Sequence, residues 1–280
     1  MNLQFESTNH CNLACHECPH RIMKRPKSHM SEEVFNVVLN NYIVDLKDER
    51  ERLGYPPTVV VHKDGEPLLN PRLKDYIARI AEAKPDFRLN LYTNGLLLTR
   101  DFIDFLDSIP NKIWLFTSFH FYEYLGKKVD YSRVDDLFKS ILNSSRPYDN
   151  IEFVFTSHVT QFMPVDDLNV WARIWESQVP QGRVTICVNN HINPWTGLIE
   201  APNCVTFDAC PYADFGHLFI GSTGNVIPCC MDLNEVLVFG NIMKDDPPVI
   251  YGRLNHFYEL LREKKDLPEL CIKCMGGLKK

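Results

Sequence analysis

The stretch CNLACHEC, residues 11–18, closes the first apolar run of the chain, LQFEST (3–8), and its three cysteines decide how the rest is read. Cys11, Cys15 and Cys18 stand in C-x3-C-x2-C spacing. Three thiolates in one short loop can hold three corners of a cubane [4Fe–4S] cluster, which normally takes four. No further cysteine follows until Cys187, so one iron is left open for a small molecule. Zinc prefers four ligands in paired spacings; His10, His16 and His20 flank the loop and leave a Cys/His zinc site as the alternative. A disulfide framework fits poorly, since the loop is tight and no secretory signal precedes it.

The 280 residues suffice for one large domain, or one domain with a small appendage. A formal charge of −6 gives no nucleic-acid footprint. No apolar run has the length of a membrane span. Ten cysteines, gathered at the two ends apart from Cys187, point to metal or redox chemistry in a cytoplasmic setting.

Outward from the cysteine loop the chain alternates. Strands are expected at LQFEST (3–8), TVVVHK (58–63), FRLNLYT (87–93), KIWLFTSFHF (112–121), IEFVFTSHV (151–159) and RVTICVN (183–189), all rich in Val, Ile, Phe and Thr. Helices are expected over 31–48, with Ser31 as N-cap, and near 71–84, 99–109, 132–145 and 164–178. In the last of these, Val165, Leu168, Val170, Trp171, Ile174 and Trp175 form an apolar stripe read as core. Six strands alternating with helices imply an α/β fold with a parallel sheet, because each parallel connection needs a crossover. Six units fall short of a complete eight-stranded barrel. After residue 198 the pattern changes: GHLFIGSTGNVIPCC (216–230) reads as a hairpin, followed by NEVLVFGNI, a helix near 249–265 and LPELCIKCMGGLKK. The expected division is 1–200 and 201–280.

Several motifs together with the Cys loop resemble the radical S-adenosylmethionine (SAM) superfamily. DGEPLLN (64–70), after the second strand, is similar to its glycine–glutamate motif, with Asp64 where a glycine is commoner. YTNGLLLT (92–99) is similar to its third-strand end. Cys210-x13-Gly224-x4-Cys229 matches the signature of SPASM and twitch domains, and Cys271-x2-Cys274 supplies two more thiols. No cysteine lies between 231 and 270, so the shorter twitch type, with one auxiliary [4Fe–4S] cluster, is the better match; a structural zinc held by the same four cysteines is its rival. The resemblance implies a partial, open (β/α)6 TIM-like barrel with a small C-terminal α+β twitch/SPASM-like domain, and two [4Fe–4S] clusters, one of them binding SAM.

It further implies that Gly65 lets backbone approach SAM and Glu66 receives its amine. Asp64, Asn94, Ser118, His120, Thr156, Ser157 and His158 are the remaining candidates for the cofactor cavity; each is equally readable as a satisfied polar residue at a strand end. An aromatic usually precedes the third cysteine in this family; here it is Glu17, which puts adenine contact by that side chain in doubt. Cys204 is a loop thiol or extra ligand, Cys230 breaks the motif's register, and Cys187 is read as core.

The activity implied is hydrogen-atom abstraction by a 5′-deoxyadenosyl radical. A fully ligated auxiliary cluster suits electron acceptance, hence a two-electron oxidation of a small hydroxylated substrate, as in twitch-domain alcohol dehydrogenases. His191 is the candidate base and Trp195 a candidate wall. Radical modification of a ribosomal peptide is the second reading; the ten residues before Cys11 leave no room for an N-terminal leader-binding domain. A non-catalytic iron–sulfur or zinc scaffold is the third. Lys24, Arg25 and Lys27 read as a solvated basic loop, or as a dock for substrate anions or for a flavodoxin- or ferredoxin-type electron donor.

Overall fold

The computed structural model describes residues 2–15, 18–46, 54, 56–119, 123–124, 127–158, 164–189, 198, 207–215 and 217–275. Its centre is a sheet of six parallel strands, β1 (Leu3–Phe5), β2 (Thr58–Val60), β3 (Arg88–Thr93), β4 (Ile113–Ser118), β7 (Ile151–His158) and β8 (Thr185–Asn189), in chain order across the sheet. A short antiparallel pair, β5 (Glu123–Tyr124) and β6 (Lys127–Lys128), lies between β4 and β7 in sequence. Helices α1 (Glu32–Val38), α2 (Leu73–Ala83), α3 (Arg100–Ser108), α4 (Ser132–Leu142) and α5 (Val165–Gln178) supply the crossovers. This is the partial barrel that six units require.

Along each strand, side chains alternate between the helices and the lumen. Leu3 and Phe5, Leu89 and Leu91, and Ile113 and Leu115 are buried towards the helices. Phe35 of α1 stacks on Tyr76 of α2 at 3.8 Å, and the Tyr76 hydroxyl donates to the Met30 carbonyl. The opposite face carries Gln4, Val60, Tyr92, Phe116 and Thr156, all half-buried. Tyr92 stacks on Phe116 at 4.3 Å, giving the lumen an aromatic wall.

Three local expectations change. LQFEST is a strand only over its first three residues: Glu6 still donates its N–H to the Ile220 carbonyl, but the backbones of Ser7 and Asn9 pair instead with Met30 and Ser28. The helix from Ser31 does not continue to 48 as a regular α-helix: Leu39–Ile43 widens into a π-turn, with the Val44 N–H donating to the Leu39 carbonyl. In α5 the stripe splits: Leu168 and Trp175 are buried and Trp171 packs on the core, whereas Val165, Val170 and Ile174 face outward.

The C-terminal hairpin does not stand apart. β9 (Leu218–Ile220) pairs in parallel with β1, Leu3 opposite Leu218, and β10 (Asn225–Ile227) and β11 (Gly240–Asn241) extend the sheet antiparallel. Gly224 makes the hairpin turn at φ +87°, a conformation that costs glycine nothing. Helix α6 (Tyr212–Phe215) precedes the hairpin; α7 (Pro247–Glu263) and α8 (Glu269–Cys274) follow it. Pro247 opens α7, where its missing N–H is harmless. The sequence pattern alone predicts neither α6 nor α8, both too short to show a period.

Candidate functional site

The Cys loop leaves the C-terminal end of β1, the side on which barrel enzymes build their sites. Cys11, Cys15 and Cys18 line a cavity of about 320 Å³ together with Gly65, Glu66, Asn94, Ser118 and His158. Gly65 sits at φ +83°, and a Cβ there would collide with the carbonyl of His10. That close approach serves a contact: the Glu66 N–H donates to the His10 carbonyl at 2.7 Å, tying DGEP to the residue before the first cysteine.

The Glu66 carboxylate accepts from the Thr93 hydroxyl at 2.7 Å, the Asn94 N–H at 2.8 Å and the Leu68 N–H at 3.1 Å. Asn94 in turn donates through its side chain to Asn12 at 2.8 Å. Cys loop, DGEP and TNG are therefore one hydrogen-bonded unit. Burial pushes the Glu66 carboxyl up to about 7, against those three donors. Burial likewise raises Cys11, and Cys18 to about 12. Such thiols become thiolates when a bound metal supplies positive charge, so the loop is chemically suited to iron.

Among the other predicted residues, Ser118 and Thr156 meet across β4 and β7 at 3.0 Å. Ser157, on the alternate face of β7, donates to the Phe119 carbonyl and is not among the cavity-lining residues. Asp64 lines the cavity, but its carboxylate is held by Arg25 at 2.8 Å and by Lys63. His120, His191, Trp195 and Cys204 lie outside the described residues. Sequence reasoning missed His62, Lys63 and Tyr92, which also line the cavity. The signal for the first two was a histidine and a lysine ending the valine run of TVVVHK. Burial lowers His62 to about 4, so its ring stays neutral, and its Nδ1 has no hydrogen-bond partner among the described residues.

The basic-loop expectation needs a correction. Lys24 and Lys27 are exposed, but Arg25 is not a solvated cation: its side chain is 11% exposed and engages Glu6, Asp64 and Glu235.

A second cavity is lined by Cys210, Cys229, Cys271 and Cys274, with Tyr212, Met231 and Leu261 among its apolar walls. Cys271 and Cys274 are one turn apart on α8, so both thiols face one side. The hairpin carries Cys229, and Cys210 precedes α6. Burial, and then the neighbouring thiols, push Cys271 up to about 12 and Cys274 to about 11. Among the described residues, no three Cys, His or acidic side chains already converge as a single-ion site. Four thiols around one enclosed space fit a cluster held wholly by protein. Cys230 is not part of that wall; its sulfur lies 3.0 Å from the Tyr212 hydroxyl. Cys187 is half-buried in β8, opposite Thr156.

An open parallel barrel with a three-thiol loop at its mouth, extended by a small four-thiol module, defines a class of cluster-dependent radical enzymes. Comparison with known families agrees: residues 5–144 match the radical SAM superfamily, and residues 210–275 match SPASM, an iron–sulfur cluster-binding domain. The chain belongs to the radical SAM superfamily. Over 280 residues it is 21% identical to the S-adenosyl-L-methionine-dependent 2-deoxy-scyllo-inosamine dehydrogenase of Niallia circulans, covering 97% of this chain and 91% of that one. Its fold resembles that of BtrN crystallised with AdoMet and 2-DOIA, with a TM-score of 0.62, 20% identity and coverage of 96% and 90%. It also resembles Streptococcus suis SuiB bound to the precursor peptide SuiA, with a TM-score of 0.55, 16% identity and coverage of 91% of this chain and 65% of that one. Among the described residues no helix is long and apolar enough to cross a membrane.

Proposed function

We propose that this radical SAM enzyme is an oxidoreductase that removes two electrons from a small hydroxylated substrate. The observation that carries the reading is the second cavity, whose four thiols leave an auxiliary cluster no need of a substrate ligand. When bound, two clusters would supply the one-electron chemistry that SAM cleavage and a two-electron substrate oxidation require. Cys11, Cys15 and Cys18 would hold the first, and Cys210, Cys229, Cys271 and Cys274 the second. Gly65, Glu66 and Asn94 seat SAM: Gly65 by allowing close backbone approach, and Glu66, once ionised, by receiving the methionine ammonium. Ser118 and His158, which line the same cavity, are the candidates to bind the ribose hydroxyls. Tyr92 and Phe116 give the lumen an apolar wall that shields a radical from water.

Near end-to-end similarity to a dehydrogenase acting on an aminocyclitol favours a small alcohol over a peptide. The electron donor to the first cluster would be a flavodoxin- or ferredoxin-type protein in a cytoplasmic setting. The proton leaving the substrate hydroxyl needs an acceptor; His191 is the sequence candidate, and the neutral His62 ring stands at the cavity wall.

The test uses anaerobically reconstituted protein. About eight irons per chain, from two clusters, with 5′-deoxyadenosine and a ketone formed from aminocyclitols, is the expected result. Product from a precursor peptide and none from any alcohol would replace this reading with the second.

A further inference from the structure

Arg25 and Lys63 spend buried positive charge on a part of the chain far from them in sequence. Arg25 follows the Cys loop; Lys63 precedes DGEP. The Arg25 guanidinium forks onto Glu6, reaches Asp64 at 2.8 Å and Glu235 at 3.2 Å, and donates through Nε to the Leu233 carbonyl at 2.7 Å. Lys63, its side chain fully buried, bonds Asp64 and donates to the Asp232 carbonyl at 3.1 Å.

The receiving segment is itself braced. The Asp232 carboxylate accepts from the Val236 and Leu237 N–H groups at 2.9 and 2.8 Å. Glu235 accepts from Asn225 at 2.8 Å, and Lys24 donates its N–H to Asn234 at 2.8 Å. This turn starts two residues after Cys229. Glu6, which the Arg25 fork grips, also accepts from the Ser222 N–H at 3.2 Å, so the same cluster is tied to the β9–β10 turn as well as to residues 233–235.

Two cations and three carboxylates buried together are a poor way to gain stability, because desolvation consumes most of the attraction. What such a cluster does supply is a fixed geometry, since moving one member strands the others. Here the geometry that is fixed is the placement of the Cys229 segment against the loops that form the SAM cavity.

We propose that Arg25, backed by Lys63, is a positioning residue that seats residues 231–235 and hence the auxiliary cluster ligand Cys229 against the SAM-side loops. Arg25 itself lines neither cavity. Its role is to keep electron removal from the substrate in step with SAM cleavage. This rests on the oxidoreductase reading for its catalytic consequence and on geometry alone for its structural one.

The test is Arg25→Lys, which keeps the charge and loses the fork, alongside Glu235→Gln, which removes a single partner. In reconstituted protein, amide exchange over 231–237 should quicken by about tenfold in Arg25→Lys. Exchange in α2 and α4 should stay unchanged, which marks the effect as local. In reconstituted protein, iron content should match the parent, while 5′-deoxyadenosine formed per oxidised product rises by about fivefold or more. Glu235→Gln should move both readouts in the same direction by less. Unchanged exchange over 231–237 in both variants overturns the proposal. So does unchanged coupling in Arg25→Lys despite faster exchange. Should the parent oxidise no alcohol, the function reading fails instead, and the exchange experiment still decides whether Arg25 seats the segment.

Discussion

The N–H of Glu66 donates to the carbonyl of His10 at 2.7 Å. Through this one bond the motif after β2 is clamped to the residue that introduces the first cysteine. The Cys loop and the DGEP turn are thereby parts of one object, and damage to either reaches the other.

Gly65 is where this object is most vulnerable. At φ +83°, with the His10 backbone filling the space of a Cβ, Gly65→Ala must break the Glu66–His10 bond or push the Cys loop away. A loss of about 2–4 kcal/mol in stability is expected from strain plus the lost contact. Denaturant melts of the iron-free protein would measure it, and calorimetry on reconstituted protein would show weakened SAM binding.

Glu66 gives the site a pH signature. Burial lifts its folded pKa from the ordinary 4.5 to about 7. Between those values the folded chain holds a proton that the unfolded chain has released. Its contribution to stability is therefore full at low pH, falls as pH rises through this window, and levels off above about 7. Glu66→Gln should flatten that part of the stability curve relative to the parent. SAM affinity should move the opposite way in the parent, strengthening as pH passes 7, because the ammonium wants an ionised partner. In Glu66→Gln it should be weaker and free of that dependence, as isothermal titration across about pH 6–8 would reveal.

The two thiol sets should separate functionally. Cys15→Ala should abolish 5′-deoxyadenosine formation. Cys271→Ala should lower iron from about eight to about four per chain, keep some SAM cleavage and lose the oxidised product. Zinc in place of the missing iron in parent protein would make the C-terminal module structural.

The core behind the substrate lumen offers a control. Phe155 is fully buried, edge-on to Phe119, Phe138 and Trp175 at centroid separations of 5.2, 4.7 and 4.9 Å. Phe155→Ala should cost about 3–5 kcal/mol without altering iron content in the fraction that remains folded, as thermal melts and metal analysis would show.

Much of this was written in local sequence. The alternation of six strands with five crossover helices and the C-x3-C-x2-C loop follow from short-range pattern; the barrel and the grouping of the C-terminal cysteines rest on resemblance to a family. Glu6, Arg25 and Lys63 were not legible in that way. Arg25 meets the Leu233 carbonyl across 208 positions, and no periodicity announces such a pairing. An arginine in RIMKRPK looks like a solvated one until its partners arrive. Glu66 was read in sequence as following β2, but two of its three donors, the Thr93 hydroxyl and the Asn94 N–H, depend on β3 packing beside it.

The parallel pairing of Leu3 with Leu218 carries a consequence for the nascent chain. As synthesis proceeds, β1 can find β2 early, yet its other edge stays bare until more than two hundred further residues have been made. An unpaired edge is an invitation to association with other chains, and long-range parallel pairing is slow. Covering of the β1 edge therefore waits for the segment that leads into Cys229. The chain has a built-in order of assembly, in which the β1 edge is covered as Cys210 and Cys229 emerge, while Cys271 and Cys274 follow later.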